Sequence, residues 1–129
     1  MRVKITPTHR VPTEIKLHKV SAILEIHFDD ESIYELPSEY LRVFTQSAEA
    51  VGHGPGQETL QIGKQDVMIT DIQPVGNYAI KLVFSDGHDT GIYSWDLLYK
   101  LGSDFPLLWS NYLEELKAAG LSRRSPLTN

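Results

Sequence analysis

The chain has no cysteine among its 129 residues. This excludes disulfides, thiolate metal sites and a cysteine nucleophile, and leaves the compartment open. No apolar run approaches the length of about 18 residues at which a membrane-spanning helix becomes a candidate. Met1 to Pro12 lacks the apolar core of a signal peptide, so the expected location is cytoplasmic. The five histidines, His9, His18, His27, His53 and His88, form neither HxxxH nor HExxH, so no local zinc motif is present. No GxSxG elbow supports a hydrolase, although a triad could be drawn from Ser47, His88 and Asp86. Positive charge is scarce in the body of the chain. Residues 25–115 hold four Lys/Arg against sixteen Asp/Glu, while the two ends are basic, and the whole carries −5. An acidic body argues against a nucleic-acid face, since phosphate affinity comes mostly from basic groups.

Hydrophobic residues make up 41% of the chain, enough for a core of its own, and the length suits one domain. The expected organisation is a flexible arm over residues 1–13, a single domain over 14–120 and a flexible tail over 121–129. Glu14 to Val20 alternates and reads as a strand. Ala22, Leu24, Ile26 and Phe28 alternate against Ile23, Glu25 and His27 in a better one, with His27 facing outward. Asp29-Asp30-Glu31 turns the chain, Ser32 to Leu36 returns, and Pro37 to Val43 reads as a short helix. Asp66 to Val75 reads as a strand that Pro74 places at an edge.

Local signals agree best over Tyr78–Gly102. Tyr78, Ile80, Leu82 and Phe84 share one strand face. Asp86-Gly87 offers a type I′ hairpin turn. Ser94 can cap a helix with an apolar stripe at Leu97, Leu98 and Leu101, which Gly102 can end in the left-handed region. A last helix starts near Asp104, with Phe105, Leu108, Trp109, Tyr112, Leu113 and Leu116 on one face and Gly120 ending it. The predicted class is α+β, a mainly antiparallel sheet built from hairpins with two C-terminal helices packed on it. Phe28-Asp29, a turn, Tyr34 and a helix resemble Phe84-Ser85-Asp86, a turn, Tyr93 and a helix. This is a weak internal repeat for which chance similarity stays open beside duplication.

Candidate chemistry centres on two places. His88, beside Asp86 and Asp89, reads either as a ligand or base or as an exposed turn residue. The glycine-rich loop around His53 reads either as an anion-binding nest or as glycines that merely turn the chain.

Three blocks, Leu-Pro-Ser-Glu-Tyr-Leu-Arg, His-Gly-Pro-Gly-Gln and Ser-Asp-Gly-His-Asp-Thr-Gly-Ile-Tyr-Ser-Trp, give the chain a family resemblance over roughly residues 15–102. It resembles the small bacterial proteins of the domain of unknown function 971. These are similar to the N-terminal domain of gamma-butyrobetaine hydroxylase and trimethyllysine hydroxylase. The resemblance implies a zinc module in which three cysteines, spaced C-x-C-x-x-C, join the histidine of an Asp-Gly-His turn. Here those positions fall at Thr45, Ser47, Ala50 and His88, so three of four ligands are gone and no bound cofactor is expected. Hydrogen bonds from Thr45 and Ser47 toward His88 are the expected replacement. The hydroxylases' catalytic iron belongs to a second domain for which 129 residues leave no room, so the expectation is not an enzyme. Similar domains also occur fused to ATPases of the iron–sulfur carrier type.

The leading expectation is therefore a non-enzymatic accessory or protein-interaction domain linked to iron–sulfur or cofactor assembly. Its interaction surface would lie around Asp86, Gly87 and Asp89. The protein partner is unidentified, nucleic acid and membrane are not expected, and a homo-oligomer stays open. The alternative is a metal-binding module with a site rebuilt around His88 and His53, using an acid such as Asp86 or Asp89.

Overall fold

A computed structural model describes residues 11–45 and 62–124. Three strands, β1 (Pro12–His18), β2 (Ile23–Phe28) and β3 (Ile33–Pro37), lead into helix α1 (Ser38–Val43). Three more, β4 (Ile69–Val75), β5 (Ala79–Phe84) and β6 (Ile92–Ser94), lead into α2 (Trp95–Ser103) and α3 (Phe105–Ala118). The α+β class holds, with the strands divided into two sheets. The orders are β1-β2-β3 and β4-β5-β6, each an antiparallel meander.

The inward faces of both sheets meet in one core. Leu24, Ile26, Phe28, Leu36, Ile69, Ile80, Leu82 and Phe84 are buried there with Tyr40, Leu41, Tyr93, Leu98 and Leu101. Each such side chain contributes about 1.5–3 kcal/mol by leaving water. A smaller cluster of Val43, Tyr112 and Leu116 lies between α1 and α3. Pro74 sits on β4, an edge strand, where its missing N–H costs least. Ser94 caps α2, its Oγ accepting the Leu97 N–H at 3.1 Å. Gly120, at φ +70°, ends α3: its own N–H reaches the Lys117 carbonyl and the Leu121 N–H reaches that of Leu116.

Several expectations change. β1 begins at Pro12, inside the expected arm, and the Asp29 N–H donates to the Val11 carbonyl. The start of the expected tail is held, because Arg123 pairs with Glu39 of α1 and its carbonyl accepts the Gly63 N–H. Tyr78 lies in the turn before β5 and is 58% exposed. Leu113 is exposed on α3. Gly102 lies inside α2 without a positive φ. It is small because the Tyr34 ring rests where a Cβ would be.

The two halves match beyond their element order. In the first hairpin the Phe28 N–H donates to the Ser32 carbonyl, the Glu31 N–H to the Phe28 carbonyl and the Ser32 N–H to Asp30 Oδ1. In the second the same three bonds run from Phe84 to His88, from Gly87 to Phe84 and from His88 to Asp86. The left-handed position is Glu31 (φ +72°) in one loop and Gly87 (φ +90°) in the other.

The halves then dock crosswise. The fifth residue of α2, Tyr99, donates to Asp30 of the first loop at 2.6 Å, and the fifth residue of α1, Arg42, donates to Asp86 of the second at 2.9 Å. Three positions further along the chain, Gly102 of α2 packs under Tyr34, and Thr45, just past the end of α1, packs on Gly91. Large and small have changed places between two equivalent contacts.

Candidate functional site

The polar member of this pair of contacts is the candidate site. Asp86-Gly87 was expected to form a type I′ turn, but only Gly87 has a positive φ. The loop instead has three residues, Ser85 to Gly87, closed by Phe84 and His88 with glycine at its left-handed end. The Asp86 carboxylate stabilises this shape by accepting the His88 N–H at 3.2 Å. Ser85 ties the loop to the approach of β4, exchanging bonds of 2.8 and 2.9 Å with Met68.

Asp86 Oδ2 accepts from Arg42 Nε at 2.9 Å and from Lys64 Nζ at 3.1 Å. Burial on its own pushes this carboxyl up. Lys64, the His88 N–H and Arg42 together outweigh burial and hold it below its usual range. Arg42 is nearly buried along α1. Thr45, 1% exposed, shares a 3.0 Å hydrogen bond between its Oγ1 and His88 Nε2. Any Cβ on Gly91 would collide with that hydroxyl, so glycine is what lets Thr45 reach the histidine. Next door, the Tyr93 hydroxyl donates to the Leu41 carbonyl at 2.6 Å, and Tyr40 donates to that of Leu101 at 2.6 Å.

Of the residues predicted for the site, the structure brings Thr45, Asp86 and His88 together and leaves Gly87 and Asp89 exposed at the rim. Ser47, Ala50 and His53 lie outside the described residues. Sequence reading missed Arg42 and Lys64 as partners of Asp86. Arg42 stood in the family block but carried no sign of its partner, which is 44 residues away. It also passed over His27. That residue and His18 both donate to Glu25 on the outer face of the first sheet.

The model for the family "gamma-butyrobetaine hydroxylase-like, N-terminal" matches residues 15–99. The chain belongs to this family. Two solution NMR structures are similar to it. One is 43% identical with a TM-score of 0.78, over 94% of this chain and 97% of the other. The second is 49% identical with a TM-score of 0.74, over 93% and 91%. A crystal structure of a DUF971-family protein of unknown function from Acidithiobacillus ferrooxidans is 34% identical. It covers 70% of this chain and 91% of its own, with a TM-score of 0.59. No curated protein matches the chain.

For a member of this family the zinc question is one of donors. At the ligand positions within the described residues the chain offers one imidazole, and that imidazole faces the neutral hydroxyl of Thr45. Such a pair does not fit a structural zinc ion, which takes four donors from Cys, His or carboxylate. Among the described residues no three His, Asp or Glu side chains enclose a metal position. No helix among the described residues is long and apolar enough to cross a membrane.

Proposed function

We propose that this chain is a non-catalytic accessory domain that docks a protein partner through the second hairpin turn, at Asp86, Gly87 and Asp89, in iron–sulfur or cofactor assembly in the cytoplasm. One observation carries the reading: the groups that could do chemistry at the turn are already engaged in holding it. Both oxygens of Asp86 accept hydrogen bonds, two of them from cations, and His88 Nε2 is engaged with Thr45. A general base or a ligand needs a lone pair available to substrate or metal, whereas a docking element needs a fixed shape. Gly87 and Asp89 stand exposed on that fixed loop. The assembly role rests on the resemblance, through the fusion of similar domains to ATPases of the iron–sulfur carrier type.

The partner class is therefore such an ATPase, met by an acidic turn. The test is binding of the purified chain to an ATPase of this type, comparing wild type with Asp89→Lys. Asp89 makes no hydrogen bond or ion pair among the described residues, so the variant should melt like wild type. Its affinity should fall at least about tenfold, and wild-type binding should weaken with added salt. Equal binding by both proteins, or none by either, would contradict the reading.

A further inference from the structure

The chain leaves α3 at Gly120, where the Leu121 N–H closes the helix end on the Leu116 carbonyl. Ser122 and Arg124, both exposed, make no hydrogen bond among the described residues. Arg123 alone ties this segment to other elements by hydrogen bonds. Its Nε donates to Glu39 Oε2 at 2.9 Å and its Nη2 to Oε1, one nitrogen to each carboxylate oxygen. A guanidinium can make that fork and an ammonium cannot. The same guanidinium lies 5.4 Å over the Trp109 ring, within cation–π reach. Tyr112 backs the indole, with ring centroids 5.0 Å apart. Glu39 is 8% exposed, and among the described residues its carboxylate takes hydrogen bonds from Arg123 alone. A carboxylate so buried is costly without a cation. Helices α1 and α3 thus build a seat for one guanidinium, an acid on one side and an indole face on another.

The backbone of Arg123 has a second task. Its carbonyl accepts the Gly63 N–H at 2.7 Å, and the next residue, Lys64, donates to Asp86 Oδ2 at 3.1 Å. On its other side Lys64 is fixed by its carbonyl, which accepts the N–H of buried Val67 at 3.1 Å. Lys64 is therefore held over the second hairpin turn between two pins, Val67 and Arg123. We infer that Glu39 and Trp109 form a guanidinium-binding site whose resident ligand is Arg123, and that through it the C-terminal segment straps Gly63 down and positions Lys64 on Asp86. Arg123 makes no hydrogen bond to Asp86 itself, so it acts as a positioning residue. Ile62 packs against the cluster of Val43, Tyr112 and Leu116, so emptying the site loosens the strap without unfolding the stretch before β4. The inference concerns how the turn is held and stands whether or not the turn docks a partner.

Amide and indole NMR spectra of the full-length chain test both halves of this. Titrating Arg123→Ala with N-ethylguanidinium chloride should give saturable shifts at the Trp109 indole N–H and the Glu39 amide. Wild type, whose site is filled, should show none at the same concentrations, and ethylammonium should give none in the variant. Adding Glu39→Gln should weaken the binding at least about tenfold, since the fork then meets a neutral amide. Before any additive, Arg123→Ala should displace the amide signals of Gly63, Lys64 and His88. N-ethylguanidinium should leave those signals displaced, because it brings no carbonyl for Gly63. In a Lys64→Met background, Arg123→Ala should not move the His88 signal further, which separates positioning from general support. Arg123→Lys, which keeps the charge and loses the fork, should displace the same signals less. Circular dichroism checks that each variant stays folded, and Arg123→Lys carries the comparison if Arg123→Ala does not. Binding of N-ethylguanidinium to neither protein, or to both alike, would overturn the site. Unmoved Lys64 and His88 signals, or a His88 shift that is the same with and without Lys64, would overturn the strap.

Discussion

Asp86 and Glu25 stay ionised for different reasons. Burial works against Asp86, and it is the combination of Lys64, the His88 N–H and Arg42 that keeps it charged. Glu25 is lowered from 4.5 to about 2, first by the hydrogen bond from His27 and then by that from His18, with weaker help from Lys16. The sign of the consequence follows from linkage. A carboxyl whose folded value lies below its unfolded one contributes stability that is fully present above 4.5 and is lost as the pH falls toward about 2. Urea midpoints measured from about pH 5 down to about pH 2 should therefore fall less steeply for Glu25→Gln than for wild type. Parallel curves would show that the histidine contacts on this carboxylate are not formed in solution. Little of this was visible in the sequence, where His27 read only as an outward strand residue. Its partner two positions away on β2 could be found by alternation. The reach of His18 depended on the β1–β2 register, which only pairing supplies.

At the scale of elements, the two hairpin loops share one geometry with different residues at its most demanding point. Gly87 takes the left-handed position freely, whereas Glu31 takes it with a side chain, at a cost of about 1–2 kcal/mol. Glu31→Gly should raise stability by about 1 kcal/mol and the melting temperature by a few degrees, because the strain relieved exceeds the added freedom of the unfolded chain. A melt that is unchanged or lower would mean that Glu31 is not held at φ +72° in solution. The strands themselves were legible: period-two alternation picked out Leu24, Ile26, Phe28, Ile80, Leu82 and Phe84, all buried. The cap at Ser94, the edge position of Pro74 and the stop at Gly120 were legible too, since each is a local backbone requirement. Gly102 was misread because its reason is not local. It resembles a helix stop in sequence, but it is the seat of a ring from β3. The division into two sheets was hidden for the same reason, since alternation specifies a face and not a pairing partner.

The whole molecule is two similar units, each using its helix to hold the other's hairpin loop. The first loop is sealed by aromatic packing: Tyr34 over Gly102, with Phe28, Tyr34 and Tyr99 meeting edge to face. The second is held by polar contacts, Arg42 and Lys64 on Asp86 and Thr45 on His88. The weak repeat in the sequence pointed toward this arrangement without revealing that the contacts cross over. Arg123 adds a further tie from beyond α3, pairing with Glu39 and lying 5.4 Å over the Trp109 ring. On this account the hydrogen bond between Thr45 and His88 joins the halves at two of the positions where the family resemblance implies zinc ligands. The most direct test is a double-mutant cycle on Thr45→Val and His88→Ala, measured by urea unfolding in chelator-containing buffer. We predict a coupling energy of about 1 kcal/mol, the worth of a largely buried hydrogen bond, with each single variant less stable than wild type. Strict additivity, or single variants as stable as wild type, would contradict the claim that this pair pins the hairpin to the segment just past α1.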